Sequence, residues 1–236
     1  MTALNTHPGE PTAIDRSAGF DATRISARFG VGFGVCQIAV MILVGIFVIP
    51  HGGSPNDPAL ERGEGVLDAA GVYRVGNYVL IVSGVLLLGF LGAVQARLRQ
   101  VDRSGALATV AVAAGTLLAL IWPLSGVLHD VALEAAGSGS DLRILAGWDA
   151  VAPFSLAFSA LPRLFFVGAL VLGLRASGTN PWMQRTGVVI LVLSAAGSVT
   201  LIEGGLFPLV ALSTLCFEVW VGVLAWRWLR ESRTAA

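Results

Sequence analysis

Residues 75–96 read VGNYVLIVSGVLLLGFLGAVQA and hold no charged side chain over 22 consecutive positions. An α-helix rises about 1.5 Å per residue, so about 20 mostly apolar residues cross the hydrocarbon core of a bilayer. This stretch is therefore predicted to be a transmembrane helix. Five others resemble it in length and composition, and the six predicted spans cover residues 29–49, 75–96, 106–128, 151–174, 186–202 and 206–225.

The composition of the whole chain agrees with a membrane location. Of its 236 residues, 55% are hydrophobic and 13% are charged, and the mean hydropathy is +0.78. Soluble domains carry roughly 25% charged residues. We therefore predict an all-α integral membrane bundle of six helices at residues 29–226. Outside it we expect a flexible cytoplasmic tail at 1–28 and a second tail at 227–236, and a short helix at 57–70 in the first outer loop.

The basic residues are distributed unevenly between the two sides of the predicted bundle. All fifteen are arginine. Eleven of them, with five acidic residues, lie in the two tails and in the second and fourth connections, whereas the opposite side carries three arginines and nine acidic residues. Because basic residues are retained on the cytoplasmic side, we predict that both termini are cytoplasmic. Arginine without lysine, together with abundant Ala, Gly and Val, indicates a bacterial plasma membrane protein.

Two ionisable residues lie near the middle of predicted spans, Arg163 in the fourth and Glu218 in the sixth. A charge at this depth costs about 2.5–3.5 kcal/mol on insertion scales, and such residues usually face the bundle interior and pair. The two spans run in the same direction, so the side chains meet if the helices are neighbours. The simplest hypothesis is an ion pair between Arg163 and Glu218 at the midplane.

Other polar residues extend this predicted centre. Ser155 and Ser159 precede Arg163 at helical spacing, which places the three in one stripe on the fourth span. Gln37 in the first span is expected to form an interhelical hydrogen bond or to contact a ligand. The face of the sixth span that carries Glu218 is otherwise built from small residues, which let helices approach closely in lipid. These are Ala211, Thr214, Gly222 and Ala225.

Three interpretations of the centre remain open. In the first, Arg163 and Glu218 form a structural ion pair that fixes the register of the helices. In the second, they line a polar cavity that opens outward along Ser155 and Ser159, where Glu218 binds a cation or a proton or Arg163 holds an anion. In the third, Glu218 is protonated and has no partner.

Four further candidates lie on the outer side. Asn77 and Glu203 are near the outer ends of spans, where solvated boundary positions are the usual case. His51 and His129 share the outer loops with several carboxylates, which permits a metal site without defining one.

Several kinds of chemistry are excluded by composition. The chain has no lysine, which removes Schiff-base chemistry and a Ser/Lys dyad. No histidine falls inside a predicted span, which removes bis-His haem ligation and an intramembrane Ser/His pair. The two cysteines, Cys36 and Cys216, fall inside spans and cannot form a disulfide framework. We predict no cofactor, and no catalytic motif is visible.

Two segments carry a resemblance to a known family. They are AGVYRVGNYVLIVSGVLLLGFLGAVQARL at residues 70–98 and GALVLGLRASGTNPWMQRTGVVILVLSAAG at residues 168–197, about a quarter of the chain. The first has an arginine leading into a span that ends on basic residues, and the second joins two spans through a short Ser/Pro/Trp connection. The chain resembles the uncharacterised bacterial six-span membrane family known as domain of unknown function 4386. The resemblance implies six helices and no assigned activity or site residue.

These patterns favour a small binding or transport-like membrane protein with its polar centre at Arg163 and Glu218. The alternative is a non-catalytic accessory or scaffold subunit of a membrane complex, and an intramembrane enzyme is the third hypothesis. The bilayer is the expected environment. A small-molecule or ion ligand, a membrane protein partner and a second copy of the chain all remain open as partners, and no nucleic-acid partner is predicted.

Overall fold

The computed structural model describes residues 13–43, 46, 58–149, 151–203 and 206–234. Eight α-helices and one 3₁₀ turn occupy almost all of this part of the chain, and no strand occurs in it. The helices are α1 Ala13–Leu43, α2 Ala59–Asp68, α3 Ala70–Val101, α4 Ala106–Gly137, α5 Leu142–Asp149, α6 Val151–Ala176, α7 Pro181–Ser198 and α8 Phe207–Thr234. The 3₁₀ turn, Val199–Leu201, extends α7.

Six of these helices, α1, α3, α4, α6, α7 and α8, are long and apolar enough to cross a membrane. They coincide with the six predicted spans, so the predicted all-α membrane bundle is confirmed. Large apolar side chains such as Val85, Val131, Phe165 and Val192 are exposed on their outer surfaces. Lipid tails are as apolar as these side chains, so this surface suits contact with the bilayer.

The six long helices form a closed ring. Each packs against the next one along the chain, and α8 packs against α1. Four aromatic side chains from four different helices meet inside the ring. Phe217 of α8 lies between Trp122 of α4 and Phe166 of α6, with ring centroids at 6.4 and 6.0 Å, and Phe33 of α1 lies 5.7 Å from Trp122. Offset and edge contacts of this kind stabilise aromatic pairs.

The contact between α1 and α8 depends on small residues. A Cβ atom built on Gly34 would lie 2.9 Å from the Cα of Gly222, so the two backbones touch directly. One helical turn away, Gly30 faces Ala225 and the ring of Phe90. The small-residue face predicted for the sixth span is therefore the face that packs against α1, at Gly222 and Ala225.

The contact between α1 and α3 includes a hydroxyl inserted beside a helix backbone. Ser26 Oγ donates a hydrogen bond to the carbonyl of Gly89 at 2.5 Å and accepts one from the N–H of Ala93 at 2.7 Å. Gly89 and Ala93 are four residues apart, so Ser26 binds both ends of one turn of α3. Ser26 and Ala27 are buried in this contact.

Two short helices, α2 and α5, form a second, smaller core at one end of the bundle. Val66 of α2 and Leu145 of α5 are buried against Leu133 of α4. Gly63 packs directly on the Leu142 carbonyl, and Arg62 donates a hydrogen bond to the Ala146 carbonyl. The short helix predicted at 57–70 is present as α2, whereas α5 was not predicted.

The two ends of the ring differ in charge. The arginine-rich face is the end at which α3, α6 and α8 finish, with Arg97, Arg99, Arg175, Arg227 and Arg230. The acidic face is the opposite end, with α2, α5 and the last turns of α4. Because α8 packs antiparallel to α1, from Gly222 at Gly34 to Ala225 at Gly30, both described ends of the chain lie toward the arginine-rich face.

The long helices extend beyond the predicted spans, and the largest extensions are at the start of α1 and at the ends of α4 and α8. α1 begins at Ala13, inside the segment predicted as a flexible tail, and α8 continues to Thr234. Packing explains why α1 starts before the predicted span at residue 29, because Ser26 and Ala27 are buried against α3. The hairpin predicted to close through Gly204 and Gly205 lies outside the described residues.

Candidate functional site

Arg163 is completely buried in the middle of α6, and three hydroxyl groups hold its guanidinium. Nη1 donates to Ser213 Oγ at 2.8 Å, and Nη2 donates to Ser159 Oγ at 2.7 Å and to Thr214 Oγ1 at 2.8 Å. Ser159 belongs to α6 itself, and the other two hydroxyls belong to α8. The guanidinium therefore links the two helices across the inside of the ring.

The three hydroxyls are oriented by their own helices. Ser159 donates to the Leu156 carbonyl at 2.7 Å, whereas Ser213 and Thr214 both donate to the Val210 carbonyl, at 2.9 and 2.8 Å. Such bonds back to the preceding turn are typical of Ser and Thr inside helices. Each hydroxyl hydrogen is thus committed to a carbonyl, which leaves the oxygen lone pairs to accept from Arg163.

Glu218 lies in the same buried region and has no comparable set of partners. Its side chain is 2% exposed, and Oε2 accepts no hydrogen bond from any described residue. It is the only buried acidic side chain among those that the structure describes. Thr214 lies one turn before Glu218 on α8 and accepts a hydrogen bond from Arg163. The guanidinium therefore contacts α8 one turn away from the Glu218 carboxyl group.

The predicted ion pair is therefore not formed. Arg163 and Glu218 are both described, and none of the guanidinium nitrogens lies within 4.0 Å of a carboxylate oxygen. Thr214 accepts a hydrogen bond from Arg163 and lies one turn from Glu218 on α8, so the two charged groups are near neighbours without direct contact. The physical reason is competition, because the hydroxyls of Ser159, Ser213 and Thr214 surround the guanidinium at shorter range.

Arg163 keeps unused donors in this arrangement. A guanidinium has five N–H groups, and three of them are used by the hydroxyls. Nε donates no hydrogen bond within the described part of the chain. The Cζ atom lies 5.2 Å from the centroid of the Phe217 ring, an arrangement in which the ring face partly stabilises the charge.

Ser194 of α7 is a further buried polar group at this level. It is fully buried, and its hydroxyl has no hydrogen-bond partner among the described residues. Gly197, one turn further along α7, packs against Val210 of α8. Val210 lies one turn before Thr214, and α7 runs antiparallel to α8. Ser194 is therefore level with the hydroxyls that hold Arg163.

The other two predicted members of the centre occupy different positions. Gln37 of α1 is buried and donates to Ser83 Oγ of α3 at 3.1 Å, which confirms the predicted interhelical hydrogen bond. Ser155, one turn from Ser159, is half-buried. Of the two serines in the predicted stripe, Ser159 accepts a hydrogen bond from Arg163.

Asn77, on the acidic face, differs from its predicted position. It was expected at a solvated boundary, but it is buried, and its Nδ2 lies 2.8 Å from Asp130 Oδ1 and 3.1 Å from His129 Nδ1. The His129 ring is buried against Tyr73, with centroids 4.8 Å apart. Helix packing explains the difference, because Gly126 of α4 lets the two helices approach closely at Asn77.

Among the outer candidates that the structure describes, none belongs to a group that could hold a metal ion. Glu203 is exposed, as expected for a boundary position, and His51 lies outside the described residues. The described part of the chain contains no group of three His, Cys, Asp or Glu side chains that could hold a metal ion. His129 and Asp130 therefore belong to a hydrogen-bonded contact between α3 and α4.

Fold and site together define an all-α, six-span membrane bundle with a buried Arg/Ser/Thr/Glu centre. Comparison with protein families, with curated proteins and with solved structures finds no match. The resemblance to the domain of unknown function 4386 therefore stays a prediction.

Three members of the centre were not predicted from the sequence: Ser194, Ser213 and Phe217. Ser213 precedes Thr214 in the same polar turn, and this adjacency is the signal that could have found it. Ser194 stands alone in an apolar helix, and Phe217 looks like any apolar residue of a span. Their roles depend on which helices are neighbours.

Proposed function

We propose that the protein is a small binding or transport-like membrane protein whose ligand occupies the centre between Arg163 and Glu218. One observation carries the proposal. A buried arginine and a buried glutamate lie in one region, do not pair, and each keeps a polar atom without a partner. Groups in this state are available to an ion, a proton or a small polar molecule.

The energetic cost of this state supports a binding role over a purely structural one. A buried donor or acceptor without a partner costs about 1–3 kcal/mol. A charge at the bilayer centre costs about 2.5–3.5 kcal/mol on insertion scales. A pair selected only for stability would be expected to close into direct contact, since buried ion pairs need optimal geometry to offset desolvation. The hydroxyls of Ser159, Ser213 and Thr214 instead hold Arg163 in place.

We further propose that this centre operates in a bacterial plasma membrane with both termini in the cytoplasm. The arginine-rich face supports this orientation, because basic residues near span ends are retained on the cytoplasmic side. The acidic face, with the α2 and α5 helices, then points outward.

The experiment that tests the proposal compares Glu218→Gln with a matched control, Glu134→Gln. Glu134 is exposed and forms a surface ion pair with Arg74 at 2.8 Å. The unfolding midpoint of each purified protein in lipid nanodiscs is measured against proton, sodium and chloride concentration. We expect wild type and Glu134→Gln to share a response to at least one of these ions, and Glu218→Gln to fold but to respond differently.

Two outcomes would overturn the proposal. One is an identical response of Glu218→Gln and wild type to all three ions. The other is a Glu218→Gln protein that does not fold or insert, because this would assign the carboxyl group a structural role.

A further inference from the structure

We infer that the centre binds one proton and one small monovalent anion together, with the proton on Glu218 and the anion at Arg163. This inference rests on the proposed function and specifies the ligand of the same site. It follows from the unused donors around Arg163 and from the charge balance of the buried region.

The buried region contains hydrogen-bond donors that have no acceptor. An anion in a buried site needs N–H or O–H groups that are not already committed. Nε–H of Arg163 has no acceptor in the described part of the chain, and the hydroxyl of Ser194 at the same level also has none. The hydroxyls of Ser159, Ser213 and Thr214 cannot serve in their present orientation, because they donate to backbone carbonyls. The free donors are therefore the Nε–H of Arg163 and a buried hydroxyl at the same level of the bundle.

The charges of the buried region must balance when an anion binds. Arg163 carries one positive charge, and Glu218 is the one buried acid in the described region that can balance it. An anion that binds beside Arg163 leaves a net negative charge in a medium of low dielectric, which is strongly unfavourable. Protonation of Glu218 restores neutrality. Anion binding and proton binding therefore favour each other, and this linkage is reciprocal.

The charge balance also limits the class of anion. A single carboxylate accepts a single proton, so the centre compensates one negative charge and no more. A divalent anion such as sulfate would leave one charge uncompensated. A small monovalent inorganic anion, for which chloride is the simplest probe, fits this requirement.

Few other titratable groups could produce the same coupling. α8 packs mainly against α1, α6 and α7, and it also contacts α4 at Trp122 and α3 at Phe90 and Arg97. Arg97 lies at the arginine-rich end, so Arg163 of α6 is the charged group presented to this layer within the described residues. The thiols of Cys36 on α1 and Cys216 on α8 are free and only partly buried. The polar groups of α1 and α7 at this level, Gln37 and Ser194, do not titrate.

The test measures proton uptake by wild-type protein when chloride is added. The protein, in weakly buffered nanodiscs with a pH indicator, is titrated with sodium chloride, and sodium gluconate at equal ionic strength serves as the control. We expect uptake of about one proton per bound chloride, and an apparent chloride affinity that falls about tenfold for each unit rise in pH above the titration of Glu218. This measurement uses wild-type protein only, so it does not depend on the folding of a variant.

A second measurement uses Glu218→Gln, whose amide resembles the protonated acid. Chloride should raise the unfolding midpoint of this variant equally at about pH 5 and about pH 8, whereas the response of wild type and Glu134→Gln should be smaller at the higher pH. Chloride that stabilises wild type equally at both pH values without proton uptake would overturn the coupling. Chloride without effect on wild type at either pH would overturn the anion assignment. The proposed function would survive either result if sodium or protons alone gave a response that Glu218→Gln changes.

Discussion

The guanidinium of Arg163 and the carboxyl group of Glu218 share one buried region without touching. The arginine donates to three hydroxyls on α6 and α8, and the carboxyl Oε2 accepts no hydrogen bond from a described residue. The geometry thus separates two roles that a direct ion pair would combine. The hydroxyls fix the position of the positive charge, and the carboxyl Oε2 keeps a free acceptor position.

The hydrogen bond from Arg163 to Ser213 should contribute to stability. Ser213→Ala is expected to lower the free energy of unfolding by about 1–3 kcal/mol, because a buried guanidinium donor loses its acceptor. A double-mutant cycle with Arg163→Met should give a coupling energy of about 0.5–3 kcal/mol. Reversible unfolding in detergent measures both values.

Ser198→Ala is the matched control for this cycle. Ser198 also donates to the carbonyl three residues before it, but it is only half-buried and holds no other side chain. We expect a change below about 0.5 kcal/mol. Equal losses for Ser213→Ala and Ser198→Ala would contradict a role of Ser213 in holding the arginine.

The contact between α1 and α8 should be sensitive to a single methyl group. Gly34→Ala places a Cβ 2.9 Å from the Cα of Gly222, and the two backbones must separate. A loss of about 1–3 kcal/mol is expected, as for other overpacked contacts. Gly76→Ala is the control, because no atom lies within 4 Å of its added Cβ, and it should be neutral or stabilising by up to about 1 kcal/mol. A neutral Gly34→Ala would show that the helices are not in backbone contact.

Asp102 should give the connection between α3 and α4 a pH dependence at acid pH. Hydrogen bonds from the Ser104 hydroxyl at 2.6 Å and the Leu107 N–H at 2.9 Å hold the pKa of this carboxyl below its ordinary value of 3.8. Because the pKa of Asp102 is lower in the folded state than in the unfolded state, the ionised carboxylate stabilises the fold. This contribution to the free energy of unfolding is complete above pH 3.8 and is lost as the pH falls through the folded-state pKa.

The measurement for Asp102 is the unfolding midpoint of Asp102→Asn against wild type as a function of pH. We expect the variant to be less stable at neutral pH and the difference to vanish in strong acid. Ser104→Ala should show an intermediate effect, since it removes the larger cause of the shift. A difference that grows as the pH falls would contradict the assignment. Because Asp102 stays ionised at about pH 5, it does not disturb the chloride experiments.

The small core formed by α2 and α5 should open without disturbing the centre. Gly63→Ala adds a methyl group where the Leu142 carbonyl lies, whereas Gly71→Ala adds one into open space. Hydrogen exchange of the α5 amides should rise for Gly63→Ala and remain unchanged for Gly71→Ala. Faster exchange in α6 and α8 as well would show that the two cores fold as one unit.

The length and hydropathy of each span were sufficient to predict the membrane bundle, because a helix that crosses lipid must be long and apolar. α5 was missed because eight amphipathic residues after a Gly/Ser-rich turn carry no membrane signal. The part of α1 from Ala13 was missed because its polar residues resemble those of a tail. Its buried end, at Ser26, is stabilised by packing against α3.

The sequence also identified Arg163 and Glu218 as the centre but predicted the wrong contact between them. Both residues stand out because charges are rare in spans. Which groups surround a buried arginine depends on the rotation and the neighbours of each helix, and composition contains neither. Ser213 accepts a hydrogen bond from the guanidinium because it lies on the side of α8 that faces α6.

Crystals grown in sodium bromide at about pH 5, with anomalous diffraction data, provide the most direct measurement of the centre. We predict a bromide peak within hydrogen-bonding distance of the Arg163 guanidinium, with Glu218 still separate from it, and a weaker peak at about pH 8. A direct salt bridge between Arg163 and Glu218 at both pH values, with no bromide beside it, would contradict the proposal.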